Sequence, residues 1–507
     1  MKIMFKYIIK VIQLMIEVRS IINGEERRSD EYIYRECPYN VDTSVTKINV
    51  AKESDVEEAI DVAREFFDKD KNGWVSNYKA RDKTLFRIAE KIRGEIQALS
   101  KLLVEEIGMP IRQARVQVSA AADVFEYYAG FGSKIYDTSK FLPSKDMVQI
   151  IKEPVGVVGL ITPWNFPLTQ SARKLAPAIT VGCTIVWKPA TYATGIAYQL
   201  AKIILSSGVP KGALNVIFGP GEKVGAQIVR SKKIDKISFT GETNTGKWIM
   251  SEASKDLKRV SLELGGKDPI ILFSYSDLKN AVKGAIFGAL RNAGQACGAT
   301  SRLLVEESIA EKVEMEISNE IKKLKLGIPL QEDTDIGPVV SKPQEDKVID
   351  YIETGIKEGY KLLVGGRKVT DGEFQRGYFI EPTVFSNVDN KSKIAQEEIF
   401  GPVLVIIYFK DEREAISLAN DVIYGLTASI WTNDYRKAIR VSRELRVGTV
   451  WINDVYTQPS EGLWGGYKQS GIGRELGIQG IEDFLETKML YTNLSGSYPH
   501  FKQVAKD

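Results

Sequence analysis

Apolar positions recur at three- and four-residue steps from Ser54 to about Ile135. Val56, Ala59, Ile60, Ala63 and Phe67 form one such stripe, with Ser54 and Asp55 ahead of it as caps. The same spacing marks Leu85 to Ile92 and Ile96 to Val104, so this stretch is predicted to be helical. From Val155 the texture changes to short β-rich runs, VGVVGLI, TIVWK, LNVIF and KISF, which alternate with helical segments after Pro167, from Thr194 and from Glu222. Strand, helix, strand at that spacing predicts a parallel sheet with crossover helices, an architecture that binds nucleotides. A second alternation begins near Pro269 with PIILF, then a helix over Leu278 to Leu290, the strand SRLLVEE and a helix from Ile309 to Leu324. Two α/β lobes without a repeat or a long Pro/Gly linker predict close packing, with a cleft between them for a site.

Composition narrows the chemistry. The chain has 507 residues, enough for two or three domains, and 43% of them are apolar. Lys plus Arg (69) nearly balances Asp plus Glu (66), so the net charge of +3 gives no global attraction to nucleic acid or an anionic membrane. Cys37, Cys183 and Cys297 lie far apart, which suggests neither a disulfide framework nor a zinc cluster and fits a reducing cytoplasm. Cys37 and Cys183 are read as small core residues. The one histidine, His500, lies in the tail, so a catalytic base must be Glu, Asp or Lys, and no metal site is expected. The opening run MKIMFKYIIKVIQLMI is broken by Lys2, Lys6 and Lys10 and lacks a small-residue cleavage site, so it is read as a strand or amphipathic helix rather than a signal peptide. No later window approaches the roughly 20 uninterrupted apolar residues of a membrane span, and a soluble enzyme is expected.

Two nucleotide motifs nearly match and fail. GETNTGK at Gly241 to Lys247 has phosphate-loop spacing, yet Trp248 stands where a Ser or Thr must hold magnesium. GPGEKVG at Gly219 to Gly225 carries one residue too many for the dinucleotide fingerprint; its place between a strand and a helix suits either a plain turn or a cofactor contact. RNAGQACGATSR is more informative. Gly294, Ala296 and Gly298 around Cys297 let a carbonyl approach the sulfur and leave backbone N–H groups free for an oxyanion.

Seven segments carry a resemblance: ITPWNFPL (Ile161 to Leu168), WKPA (Trp187 to Ala190), SFTGETNTG (Ser238 to Gly246), LELGGK (Leu262 to Lys267), GQAC (Gly294 to Cys297), EEIFGPV (Glu397 to Val403) and GGYKQSGIGRE (Gly465 to Glu475). In that order, over roughly Ile22 to Lys488, the chain resembles the aldehyde dehydrogenase superfamily. The resemblance implies an α/β fold with a Rossmann-like cofactor domain (residues 1–138 and 154–263), a catalytic α/β domain (264–475), and a small oligomerisation element with a tail (139–153 and 476–507). A homodimer or homotetramer follows by analogy. It further implies that Cys297 is the nucleophile, Asn165 an oxyanion donor and Glu263 the general base that activates water. Lys174 and Glu475 match a proton relay; a surface ion pair is the alternative. Lys188 and Glu398 match ribose contacts, while Trp164, Gly241 and Phe400 lie along the pyrophosphate and nicotinamide, the phosphates near a helix start. Glu242 stands where many relatives carry Ser.

Thr191 stands where NAD-preferring relatives carry Glu. A carboxylate there would repel a 2′-phosphate by about 4 kcal/mol for unit charges about 4 Å apart at an effective dielectric near 20. NADP is therefore expected to serve at least as well as NAD. For the substrate, Trp464 and the following GGYKQSGIGREL resemble betaine aldehyde dehydrogenases, whose aromatic box holds a trimethylammonium. Phe166 and Arg173 depart from that box. Arg173 and Arg291 instead match the carboxylate-binding arginines of succinate-semialdehyde dehydrogenases, although Gln458 and Pro459 replace serines of that group. The expectation is a semialdehyde with a distal anion. Aliphatic or betaine-type aldehydes, a CoA-acylating enzyme and a catalytically silent relative are the alternatives, and each arginine has an ion pair to a structural carboxylate as its own.

Overall fold

The stretch predicted to be helical is four helices, Glu53–Lys69, Tyr78–Gly94, Ile96–Ile107 and Ile111–Tyr128. The first is capped two residues earlier than expected from Ser54. Lys52 is its N-cap, and Asp55 lies inside the first turn, where its carboxylate accepts the Lys52 backbone N–H at 2.8 Å. The chain is a computed structural model in which residues 15–70, 73–496 and 498 are described. Most of the N-terminal run and His500 lie outside them.

The first β-rich stretch forms an eight-stranded sheet. Its middle is five parallel strands in the order Arg259–Glu263, Lys236–Thr240, Val157–Thr162, Thr184–Pro189 and Leu214–Val216. Buried on both faces, these strands read as apolar runs with little alternation. Antiparallel strands close both sides: Gly471–Ile472 beside Arg259–Glu263, and Ser20–Ile22 followed by Glu25–Arg27 beside Leu214–Val216. The helix expected from Glu222 opens as a wide turn over Gly221–Gly225 and becomes helical only at Ala226–Arg230.

The second alternation is a seven-stranded sheet with Pro269–Leu272 and Arg302–Glu306 at its centre, six of its strands parallel. The helices Leu278–Leu290 and Ala310–Ile321 lie within a turn of their expected limits. The two sheets give the Rossmann-like and catalytic α/β arrangement of the expected fold class. A three-stranded antiparallel sheet stands apart, with Met147–Pro154 between Thr138–Phe141 and Leu485–Thr492. Cys37 and Cys183 are buried. No helix among the described residues is long and apolar enough to cross a membrane.

Candidate active site

Two cavities meet at one sulfur. The first, about 780 Å³, is lined by Phe166, Arg173, Arg291, Tyr456 and Trp464 among others; the second, about 860 Å³, by Trp164, Asn165, Lys188, Gly241, Glu263 and Glu398. Cys297 alone lines both. The helix Leu278–Leu290 stops just before it, and Asn292, Ala293 and Gly294 then take φ of 53°, 54° and 72°. Three successive left-handed residues, two of them not glycine, cost about 1–2 kcal/mol each for the latter, so surrounding contacts must hold the turn. Gly294 is tied to its hydrogen atom: a β-carbon there would lie 1.9 Å from the Gly401 carbonyl oxygen.

Asn165 follows the strand Val157–Thr162 and precedes the helix Pro167–Val181, whose first residue is a proline with its φ preset for helix. Its Nδ2 donates to the Gln295 carbonyl at 3.1 Å, which leaves one amide hydrogen over. Asn292 Nδ2 donates to the Asn165 carbonyl at 3.1 Å and to the Gln295 carbonyl at 3.3 Å.

Burial pushes the Cys297 thiol up to about 12, with Glu398 and Glu263 adding to the rise and Arg173 opposing it. An un-ionised thiol needs a base. Glu263 ends the strand Arg259–Glu263, and burial, followed by the charge of Glu475, raises its carboxyl well above the usual range. Its Oε2 is buried without a hydrogen-bond partner among the described residues, and the charges of Lys174, Arg173 and Arg474 only partly offset the rise. Glycines permit the approach of its neighbours: β-carbons at Gly465 and Gly266 would lie 2.9 Å from Glu263 Oε1 and 2.4 Å from the Cys297 carbonyl oxygen. Lys174 and Glu475 form an ion pair, though a buried one rather than the surface pair left open above, and Lys174 Nζ also donates to Ser238 Oγ at 3.0 Å. Neither lines a cavity.

In the second cavity Lys188 is buried, which lowers its ammonium to about 8, and Glu222 is the one charge that opposes the drop. Glu398 accepts the Gly266 N–H at 3.1 Å and is raised by burial to about 7. Phe400, at φ 60°, stands edge-on to Trp164 with ring centres 5.4 Å apart. Space remains open beside Gly221, and a β-carbon at Gly225 would reach no atom closer than 3.9 Å, so the wide turn leaves room for a ligand. A carboxylate and an ammonium placed for hydroxyls, open glycines and an aromatic wall suit a dinucleotide. Thr191 does not line this cavity although Ala190 does. Gln344 and Lys347, one helical turn apart on the helix Lys342–Lys357, also line it, and no motif marks them in the sequence.

The first cavity joins residues far apart in the chain. Arg173 lies 5.1 Å from the Trp464 ring centre. Arg291 lies 5.0 Å from Phe166, 5.1 Å from Tyr456 and 5.8 Å from Phe287. Neither guanidinium has an ion pair among the described residues, so the structural carboxylate weighed above is absent there. Sequence reasoning missed Tyr456 and Phe287, which no motif marks.

The profile described as Aldehyde dehydrogenase family matches residues 25–490. The chain is 42% identical over 478 residues to the Bacillus subtilis betaine aldehyde dehydrogenase, covering 94% of each. It is 39% identical to the peroxisomal aminoaldehyde dehydrogenase 1 of Pisum sativum, covering 87% of this chain and 89% of that one. Among solved structures, the Staphylococcus aureus betaine aldehyde dehydrogenase in complex with NAD+ superposes with a TM-score of 0.92 at 38% identity, over 95% of this chain and 96% of that one.

Proposed function

Because the chain belongs to the aldehyde dehydrogenase family and is an NAD(P)-dependent aldehyde oxidoreductase, we propose that Cys297 works between an aldehyde in the first cavity and a nicotinamide in the second. The observation that carries this reading is the place of Cys297 in the walls of both. Glu263 takes the thiol proton as the sulfur attacks the carbonyl carbon, and the spare Asn165 amide hydrogen meets the oxyanion. A bound oxidised nicotinamide would supply the acceptor for the hydride lost from the former aldehyde carbon, and Cys297 then keeps the acyl group as a thioester. Lys188 and Glu398 would hold the two riboses. Glu263 passes the thiol proton on along the buried Lys174–Glu475 pair and, a carboxylate again, takes a proton from water, whose oxygen adds to the thioester carbon; collapse releases the acid and the Cys297 thiolate, which regains that proton from Glu263.

The substrate carries a distal anion. Two unpaired guanidiniums beside the nucleophile support this, and they stand over the rings that a quaternary ammonium would need. Relatives named for betaine aldehyde and aminoaldehydes favour a cationic substrate as the second reading. For the cofactor, Thr191 lies outside the cavity wall, so only the lack of a carboxylate at that position supports NADP serving at least as well as NAD, while Glu222 brings a carboxylate near Lys188 from the facing turn. The cofactor domain comprises 1–138 and 154–263, the catalytic domain 264–475, and the oligomerisation element and tail 139–153 and 476–507; only the Gly471–Ile472 strand crosses that division to join the first sheet. Exposed Met489 and Tyr491 on the strand Leu485–Thr492 support a homodimer or homotetramer, and three unpaired thiols support the cytoplasm.

Turnover of succinate semialdehyde, butanal and betaine aldehyde, each with NAD and NADP and with and without CoA, tests the reading. Preference for the anionic aldehyde without need of CoA is expected. Preference for betaine aldehyde overturns the anion reading, and dependence on CoA overturns hydrolysis.

A further inference from the structure

Asn292 is 2% exposed and joins three segments through hydrogen bonds. Its backbone N–H donates to Gln113 Oε1 at 3.0 Å, on the helix Ile111–Tyr128. Its carbonyl accepts the Gln295 side chain at 3.0 Å. Its own amide donates to the carbonyls of Asn165 and Gln295 at 3.1 and 3.3 Å. The Gln295 carbonyl in turn receives Asn165 Nδ2, and Gln295 Oε1 is fixed by the Val340 N–H at 2.9 Å. Asn165 is thus held at two points, by its carbonyl and by one hydrogen of its amide, and both points lead back to Asn292.

We propose that Asn292 is a positioning residue that aims the free amide hydrogen of Asn165 at the oxyanion, an inference that rests on the role given to Asn165 above. The geometry separates this task from the turn. The left-handed backbone at φ 53° needs only a residue at ease there, which glycine satisfies, whereas the hold on Asn165 needs an amide donor. Asp keeps the shape and turns a carboxylate toward two carbonyl oxygens, which repels them.

The test uses single-turnover formation of reduced cofactor in Asn292→Gly and Asn292→Asp, with Asn165→Ala alongside. In Asn292→Gly the rate constant is expected to fall roughly 10- to 100-fold, short of the roughly 10²–10³ from loss of the donor itself. Asn292→Asp is expected to fall at least as far. The double variant Asn165→Ala/Asn292→Gly should be little slower than Asn165→Ala, because the two act as one unit. Alkylation of Cys297 by iodoacetamide forms no oxyanion, so its rate should stay within about twofold of the parent enzyme, as should the cofactor dissociation constant read by fluorescence. An unchanged single-turnover rate in Asn292→Gly while Asn165→Ala is slowed overturns the inference. So does an equal fall in alkylation, which marks a merely structural role. An unimpaired Asn165→Ala instead overturns the oxyanion assignment beneath it.

Discussion

On the cofactor side of Cys297, glycines give room, Glu222 acts on the buried Lys188 from a distance, and Glu398 accepts a backbone N–H. On the aldehyde side, aromatic rings surround two guanidiniums that form no ion pair among the described residues. Adjacent residues on one helix show the same contrast. Lys174 turns inward to Glu475 and Ser238, while Arg173 faces the cavity beside Trp464. Burial of an uncompensated charge is costly, so a guanidinium left unpaired beside the Cys297 sulfur is a place where an anionic ligand would gain most, as proposed above.

The harshest way to break the comparison is to remove the residue the two sides share. Cys297→Ala should lower turnover by at least about 10⁴-fold and leave cofactor binding intact, as checked by fluorescence titration. Glu263→Gln should reduce steady-state turnover by roughly 10²–10⁴-fold. Its carboxyl is raised, and a base acts when deprotonated, so parent activity should climb with pH through a limb above the normal carboxylate range. A pH profile of the variant should lack that limb. Arg173→Ala sharpens the contrast: it should lower kcat/KM for succinate semialdehyde about 10- to 100-fold and leave butanal nearly unchanged. The mildest change lies across the sulfur. Glu222→Gln should improve kcat/KM for NADP relative to NAD by on the order of tenfold, as the carboxylate opposite Lys188 is lost.

The cofactor side was largely legible in the sequence because it is built from contiguous motifs at strand ends, where backbone geometry dictates residue type. The helix Leu278–Leu290 and the strand Arg302–Glu306 were legible from periodicity alone. The aldehyde side was only half legible. Arg173 and Arg291 could be marked by their resemblance to the carboxylate-binding arginines of succinate-semialdehyde dehydrogenases, but their ring partners Tyr456 and Phe287 come from a loop and a helix face that no motif marks. The left-handed course of Asn292 and Ala293 was hidden too, since alanine rarely adopts it and tertiary contacts impose it. Lys52 as a helix cap was missed for a local reason: Ser54 is the better cap by propensity, yet Asp55 reaching back to the Lys52 N–H fixes the start.

The cofactor-side sheet also has a bearing on synthesis. Its strands are drawn from Ser20 to Ile472, and the last one laid down, Gly471–Ile472, is the one that covers Arg259–Glu263, the strand that ends in Glu263. A chain still emerging from the ribosome holds every parallel strand of that sheet long before it holds this cover. From the synthesis of Glu263 until that of Ile472 the edge beside Glu263 therefore presents unpaired N–H and C=O groups to whatever is nearby. A nascent or prematurely ended chain that lacks only its last few dozen residues should expose an aggregation-prone edge beside Glu263.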